Sequence, residues 1–151
     1  MDKKDLIKGI SPKLKLIRVE KGYTQQRMAD ILGISKKTLV QIEKERNEAS
    51  WTTIVAVCAL FQDSEVLKNT LGEDPFEVIE TVAHDQIDRP RGMTMGGKVW
   101  WTEVERKGAY TLQQNILSKH YRIIDDSNYR WYSTFEEDEA ERKLIELDST
   151  K

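Results

Sequence analysis

The chain has 151 residues, which suits one or two small domains. With 38% apolar and 33% charged residues it reads as soluble, with much exposed surface. No apolar run approaches the roughly 18–20 residues of a membrane span, the opening MDKKDLIKGI lacks the apolar segment of a secretory signal, and a single cysteine, Cys58, excludes an internal disulfide. The reading is cytoplasmic. Charge is unevenly placed: residues 1–71 hold 13 Lys/Arg against 9 Asp/Glu, and residues 72–151 hold 11 against 17. The front half can face a polyanion; the back half cannot do so over its whole surface.

The first helix is expected from Ser11 as N-cap, with Pro12 at a position whose missing N–H costs nothing. It would turn Leu14, Ile17 and Val19 inward and stop at Gly22. Thr24 caps a second helix, Gln25 to Leu32, in which Met28, Ala29 and Leu32 share one face. Gly33 follows, where a left-handed residue turns the chain sharply. Ser35 caps a third helix, Lys36 to about Lys44. Its Leu39 and Ile42 face inward, leaving Lys36, Lys37, Val40, Gln41 and Lys44 outside. Ser50 opens a fourth helix with Ile54, Val57, Cys58 and Phe61 inside. Ser64 opens a fifth with Val66, Leu67 and Leu71, ending at Gly72. Cys58 sits at a small-residue core position and reads as a buried, inert thiol rather than a redox group.

Two short helices meeting at a tight glycine turn, with small Ala29 at their approach, have helix-turn-helix geometry. The Leu-x-x-Ile-Arg opening, Gly22, Thr24-Gln25, Met28-Ala29, Leu32-Gly33-Ile34-Ser35, Thr38-Leu39, Ile42-Glu43 and Arg46 together resemble the lambda-repressor/Cro-like (Xre-type) DNA-binding domain over residues 13–61. The resemblance implies a bacterial or phage origin and a set of site residues. Gln25, opening the second helix, would contact backbone phosphate, and Lys36 and Lys37 sit where the family reads bases. Val40 can pack on a thymine methyl and Gln41 can bond an adenine edge. Lys44, Arg46 and Asn47, with Arg27 as a further candidate, fit phosphate contacts. One departure follows Ile42-Glu43. The family usually has Gly and then Arg-x-x-Pro there; this chain has Lys44-Glu45-Arg46-Asn47-Glu48-Ala49, whose acidic residues oppose phosphate contact by the loop.

In the back half Asp74-Pro75 begins a helix running to about Gln86 with a Phe76, Ile79, Val82, Ala83 stripe. Residues 88–98 (DRPRGMTMGGK) read as a linker. Eight of the twelve aromatics fall in residues 99–135, which argues for strands around a small aromatic core. Strands are expected over Val99–Glu105, over an alternation of Tyr110, Leu112, Gln114 and Ile116, and on either side of Asp125-Asp126-Ser127-Asn128. A last helix starts near Phe135, with Ser133 and Glu136 at capping-box spacing and Leu144, Ile145 and Leu147 to pack. No enzyme, metal or cofactor is read here. His84 and His120 lack clustered partners, Gly96-Gly97 lacks a phosphate-loop context, and Glu103 and Glu105 read as the solvated side of one strand. Trp100, Trp101, Tyr110, Tyr121 and Trp131 read first as core and dimer contact, second as a ligand pocket or a stacking platform for single-stranded bases.

The expected class is α+β: an N-terminal all-α five-helix lambda-repressor-like domain over 1–72, a helix and linker over 73–98, and a small antiparallel β-rich domain with a terminal helix over 99–151. The leading function is a transcriptional regulator that binds double-stranded DNA as a homodimer, its C-terminal half dimerising, sensing a signal or meeting a protein partner. Two alternatives stand beside it: an antitoxin that caps its toxin and autoregulates its operon, and a small-ligand receptor with a degenerate helix-turn-helix.

Overall fold

The computed structural model describes residues 1–85 and 100–150. The chain divides into two compact units, one on either side of the intervening segment. The expected linker, Gln86 and Val99 lie outside the described residues.

The first unit begins earlier than Ser11. Helix α1 spans Lys3–Ile10 and is held by a capping box: the Asp5 N–H donates to the Asp2 carboxylate and the Asp2 N–H to the Asp5 carboxylate, both at 2.9 Å. Leu6 and Ile10, one turn apart, are buried on its inner face. Ser11 is not an N-cap. It lies in helical geometry within a 3₁₀ turn, Ser11–Lys13, that runs α1 into α2 (Leu14–Glu20). Its hydroxyl is buried and instead accepts the Ala49 N–H at 2.9 Å.

Leu14 and Ile17 of α2 are fully buried, but Val19 is exposed. Glu20, at the end of α2, caps another helix. Its carboxylate accepts from the Ser64 hydroxyl at 2.5 Å and the Glu65 N–H at 2.7 Å, and these bonds hold it below its usual pKa. Helices α3 (Gln25–Leu32) and α4 (Lys36–Glu43) follow, then α5 (Trp51–Leu60), α6 (Glu65–Leu71) and α7 (Pro75–His84). Each begins at the expected cap: Thr24, Ser35, Ser50, Ser64 and Asp74 all accept from the backbone three residues on. Lys3 places its ammonium 5.1 Å from the centre of the Trp51 ring and so ties α1 to the start of α5. One core joins Leu6, Ile10, Leu14, Ile17, Met28, Ala29, Leu39, Ile42, Ile54, Val57, Cys58, Phe61 and Leu67 with Ile79 of α7.

The second unit is a four-stranded antiparallel meander, β1 (Trp101–Lys107), β2 (Tyr110–Asn115), β3 (Tyr121–Asp125) and β4 (Arg130–Thr134), in that order, followed by α8 (Glu137–Ser149). Gly108, at φ +58, opens the two-residue loop between β1 and β2. Asp125 closes the β3–β4 hairpin by accepting from the Ser127 and Tyr129 N–H groups and from the Trp131 indole N–H, at 2.8, 3.0 and 3.0 Å.

Leu112, Ile123 and Tyr132 are cross-strand neighbours, so they share a face. On it sit Ala140, Leu144 and Leu147, one stripe of α8. The core is therefore aliphatic, with Tyr110, Tyr121 and Tyr132 at its rim. Trp100 and Trp131 are exposed, and so is Ile145. Ser133 does not cap α8: the N-cap position is Glu136, whose side chain makes no capping hydrogen bond, and ahead of it the Thr134 hydroxyl accepts the Glu136 N–H at 3.1 Å and donates to the Glu139 carboxylate at 3.0 Å. Glu103 and Glu105 do not share a face. A bulge between them sets Glu103 opposite Gln113 and Glu105 opposite Leu112.

Ser11→Ala leaves the buried Ala49 N–H without its acceptor and is expected to lower stability by about 1–3 kcal/mol. Denaturant unfolding measures this, and an unchanged midpoint would refute the role given to that hydroxyl.

Candidate nucleic-acid interface

The geometry of α3 and α4 is set by two caps and one glycine. The Thr24 hydroxyl accepts the Arg27 N–H at 3.1 Å, and the Ser35 hydroxyl accepts the Thr38 N–H at 3.0 Å. Between the helices Gly33 takes φ +72. A Cβ there would meet nothing within 4 Å, so backbone conformation, not space, requires the glycine. The turn is closed by Gly33 N–H to Asp30 O at 3.3 Å and Ile34 N–H to Ala29 O at 3.0 Å. Ala29 is wholly buried at the approach.

With Leu39 and Ile42 in the core, the other side of α4 is fixed. Lys37, Val40, Gln41 and Lys44 lie three and four residues apart and share one stripe, with Lys36 at the first turn. Lys36, Lys37 and Lys44 are exposed; Val40 and Gln41 are half-buried. Arg27, Arg46 and Asn47 are exposed as well. The Gln41 carbonyl receives the Arg46 N–H at 3.0 Å and the Asn47 N–H at 3.4 Å, which folds the loop back onto the end of the stripe.

Arg18 and Glu43 form a contact that was not legible from either residue alone. The Glu43 side chain is 4% exposed and the Arg18 side chain 15%. Arg18 donates from Nε and Nη2 to the two Glu43 oxygens, each at 2.9 Å, and from Nη1 to the Tyr23 carbonyl at 3.0 Å. The same carboxylate holds the Arg18 guanidinium above its usual pKa. Gln25, half-buried, extends its amide to Glu43 Oε1 at 3.4 Å. Glu45 stands where the resembled family has glycine, and it adopts the left-handed conformation at φ +58.

Residues 14–64 match the family model for helix-turn-helix. They form a helix-turn-helix domain of the lambda-repressor-like class. The chain matches no curated protein and no solved structure. A helix-turn-helix domain is a DNA-binding regulatory module, not an enzymatic one. No helix among the described residues is long and apolar enough to cross a membrane. Within the helix-turn-helix domain Cys58 is fully buried, and burial pushes its thiol up to about 12.

Three outcomes are expected of this domain. Glu43→Gln strands the Arg18 charge against neutral acceptors and should lower stability by about 3 kcal/mol. Glu45→Gly relieves a left-handed residue and should raise stability by about 1 kcal/mol. Both are read from denaturant unfolding, and a sign opposite to either would refute its assignment. Cys58 should stay unmodified by an alkylating reagent at neutral pH until the protein is unfolded; stoichiometric labelling of the native chain would contradict an inert thiol.

Proposed function

We propose that this protein is a sequence-specific transcriptional regulator that binds duplex DNA as a homodimer, with α4 lying in the major groove. The observation that carries this reading is the outer stripe of α4: three exposed lysines flanking a half-exposed valine and glutamine, on a helix whose opposite face is locked into the core. A purely solvated helix face has no use for Val40 among lysines; a groove-reading one does, because a valine methyl can pack on a thymine methyl.

In this reading Lys36 and Lys37 donate to guanine edges and Gln41 meets an adenine edge. Gln25 contacts phosphate at the start of α3, where unpaired N–H groups of the first turn also favour an anion. Lys44, Arg46, Asn47 and Arg27 meet the backbone further along. A single recognition helix reads few base pairs, so two copies on half-sites about 34–36 Å apart supply the specificity. The second unit serves that pairing, a partner protein or a signal, and the protein works in the cytoplasm.

A mobility-shift titration over a range of salt tests the reading. A discrete complex on a specific fragment, weakening steeply as salt rises, is the expected result; no shift on any genomic fragment would sink it. Lys36→Ala should lose about 1–3 kcal/mol on the preferred site and relax base choice there. Equal losses on preferred and random DNA would contradict base reading. Gln25→Ala should weaken binding to all sequences alike, and an altered consensus in a selection experiment would overturn its phosphate role.

A further inference from the structure

The sheet of the second unit has a face turned away from α8. Across it runs a row of cross-strand neighbours, Glu103, Gln113, Arg122 and Ser133. Arg122 is only 8% exposed. Its Nε donates to the Gln113 side-chain oxygen at 2.8 Å, and its guanidinium carbon lies 3.8 Å from the centre of the Trp101 ring. The Trp101 ring also packs nearly perpendicular to the His120 ring, their centres 5.0 Å apart. The guanidinium is thus held by an amide at one corner and an indole across its plane.

What it lacks, among the described residues, is an anion. Among the described residues, Arg122 Nη2 is out of solvent with no hydrogen-bond partner. Glu103, the carboxylate in the same row, is paired to Arg106 at 3.7 Å. The charge that does act on Arg122 is Arg130, of like sign, and burial first and Arg130 second depress its pKa. An arginine does not shed its proton inside a protein, and a buried charge without a counter-charge is strongly unfavourable. A leucine or methionine would fill the same space without that penalty. The position is therefore built for something that completes it.

We propose that Arg122, oriented by Gln113 and Trp101, is the anchor of a binding site for a small oxyanion, a carboxylate or a phosphate. The unpaired atom is out of solvent, so the ligand must be small and the side chains around the guanidinium must part to admit it. It is an oxyanion because a guanidinium whose Nε is already engaged still offers two Nη groups to a pair of oxygens. The site lies wholly within the second unit and does not rest on the DNA reading.

The test is a tryptophan-fluorescence titration of the full chain with sodium acetate and, separately, sodium phosphate, against sodium chloride at matched ionic strength. Thermal midpoints are measured on the same samples. A saturating fluorescence change and a rising midpoint with one or both oxyanions are expected, and the anion that gives them names the ligand class. Arg122→Met should abolish the saturating response, and Arg122→Lys should weaken it by about tenfold or more, since an ammonium offers no fork. Trp101→Phe, which leaves Arg122 in place, should remove most of the fluorescence signal while keeping the midpoint shift. The proposal is overturned if neither oxyanion acts beyond chloride, or if Arg122→Met responds as the wild type does. Should Arg122→Met fail to fold, the wild-type titration and the Trp101→Phe pair decide alone.

Discussion

Glu43 is a carboxylate in a place that a carboxylate avoids. It stands on the inner side of α4, nearly out of water, and the helix can be packed there only if the charge is met. Arg18 meets it with two nitrogens and gives its third to the Tyr23 carbonyl, so one side chain joins α2, the turn before α3 and the end of α4. Gln25 leans on the same carboxylate from the start of α3. An apolar pair of similar volume could hold these helices as firmly, but it would leave their rotation about one another softer. A bidentate fork has one good geometry. The outward stripe of Lys37, Val40, Gln41 and Lys44 inherits its direction from that geometry, since every residue of a helix turns with its neighbours.

Much of the helical unit was legible because local rules and the global fold agree there. Thr24, Ser35, Ser50, Ser64 and Asp74 each precede an apolar stripe of helical period, and each proves to be a cap. Gly33 was legible for the same reason: a turn needing positive φ leaves few residues to choose from. Ser11 misled because Ser-Pro is an ordinary helix opening. The competing signal, Asp2 and Asp5 at capping-box spacing with Leu6 and Ile10 a turn apart, was weaker in hydrophobic content but physically sufficient. Arg18 with Glu43, and the hydroxyl of Ser11 with Ala49, join residues 25 and 38 positions apart, and no period in the sequence encodes a partner at that distance.

In the β-rich unit the elements were legible and the faces were not. Alternation located the strands and the Asp-Asp-Ser-Asn hairpin, but it assumes an unbroken pleat. The bulge beside Val104 breaks it and sends Glu103 and Glu105 to opposite faces. The number of aromatics suggested an aromatic core. Leu112, Ile123, Ala140, Leu144 and Leu147 form it instead, because the helix that covers the sheet brings small and aliphatic side chains that sit close to the strands. Of the tryptophans here, Trp100 and Trp131 are left to solvent and Trp101 to a cation. Arg122 was invisible in the sequence: an arginine on a strand is ordinarily a solvated one, and only its neighbours reveal that it is buried.

The hydrogen bond from Ala49 to Ser11 makes the working domain larger than its recognisable motif. The family match begins at Leu14, yet the loop that follows α4 is tied down by a residue ahead of that boundary, and Leu6 and Ile10 fill the core alongside residues of α5 and α6. A fragment cut at the motif's edge would keep every side chain of the recognition stripe and lose part of what holds the stripe's last turn and its loop in place. Here the unit that carries the recognition residues and the unit that can hold them still are two different lengths of chain.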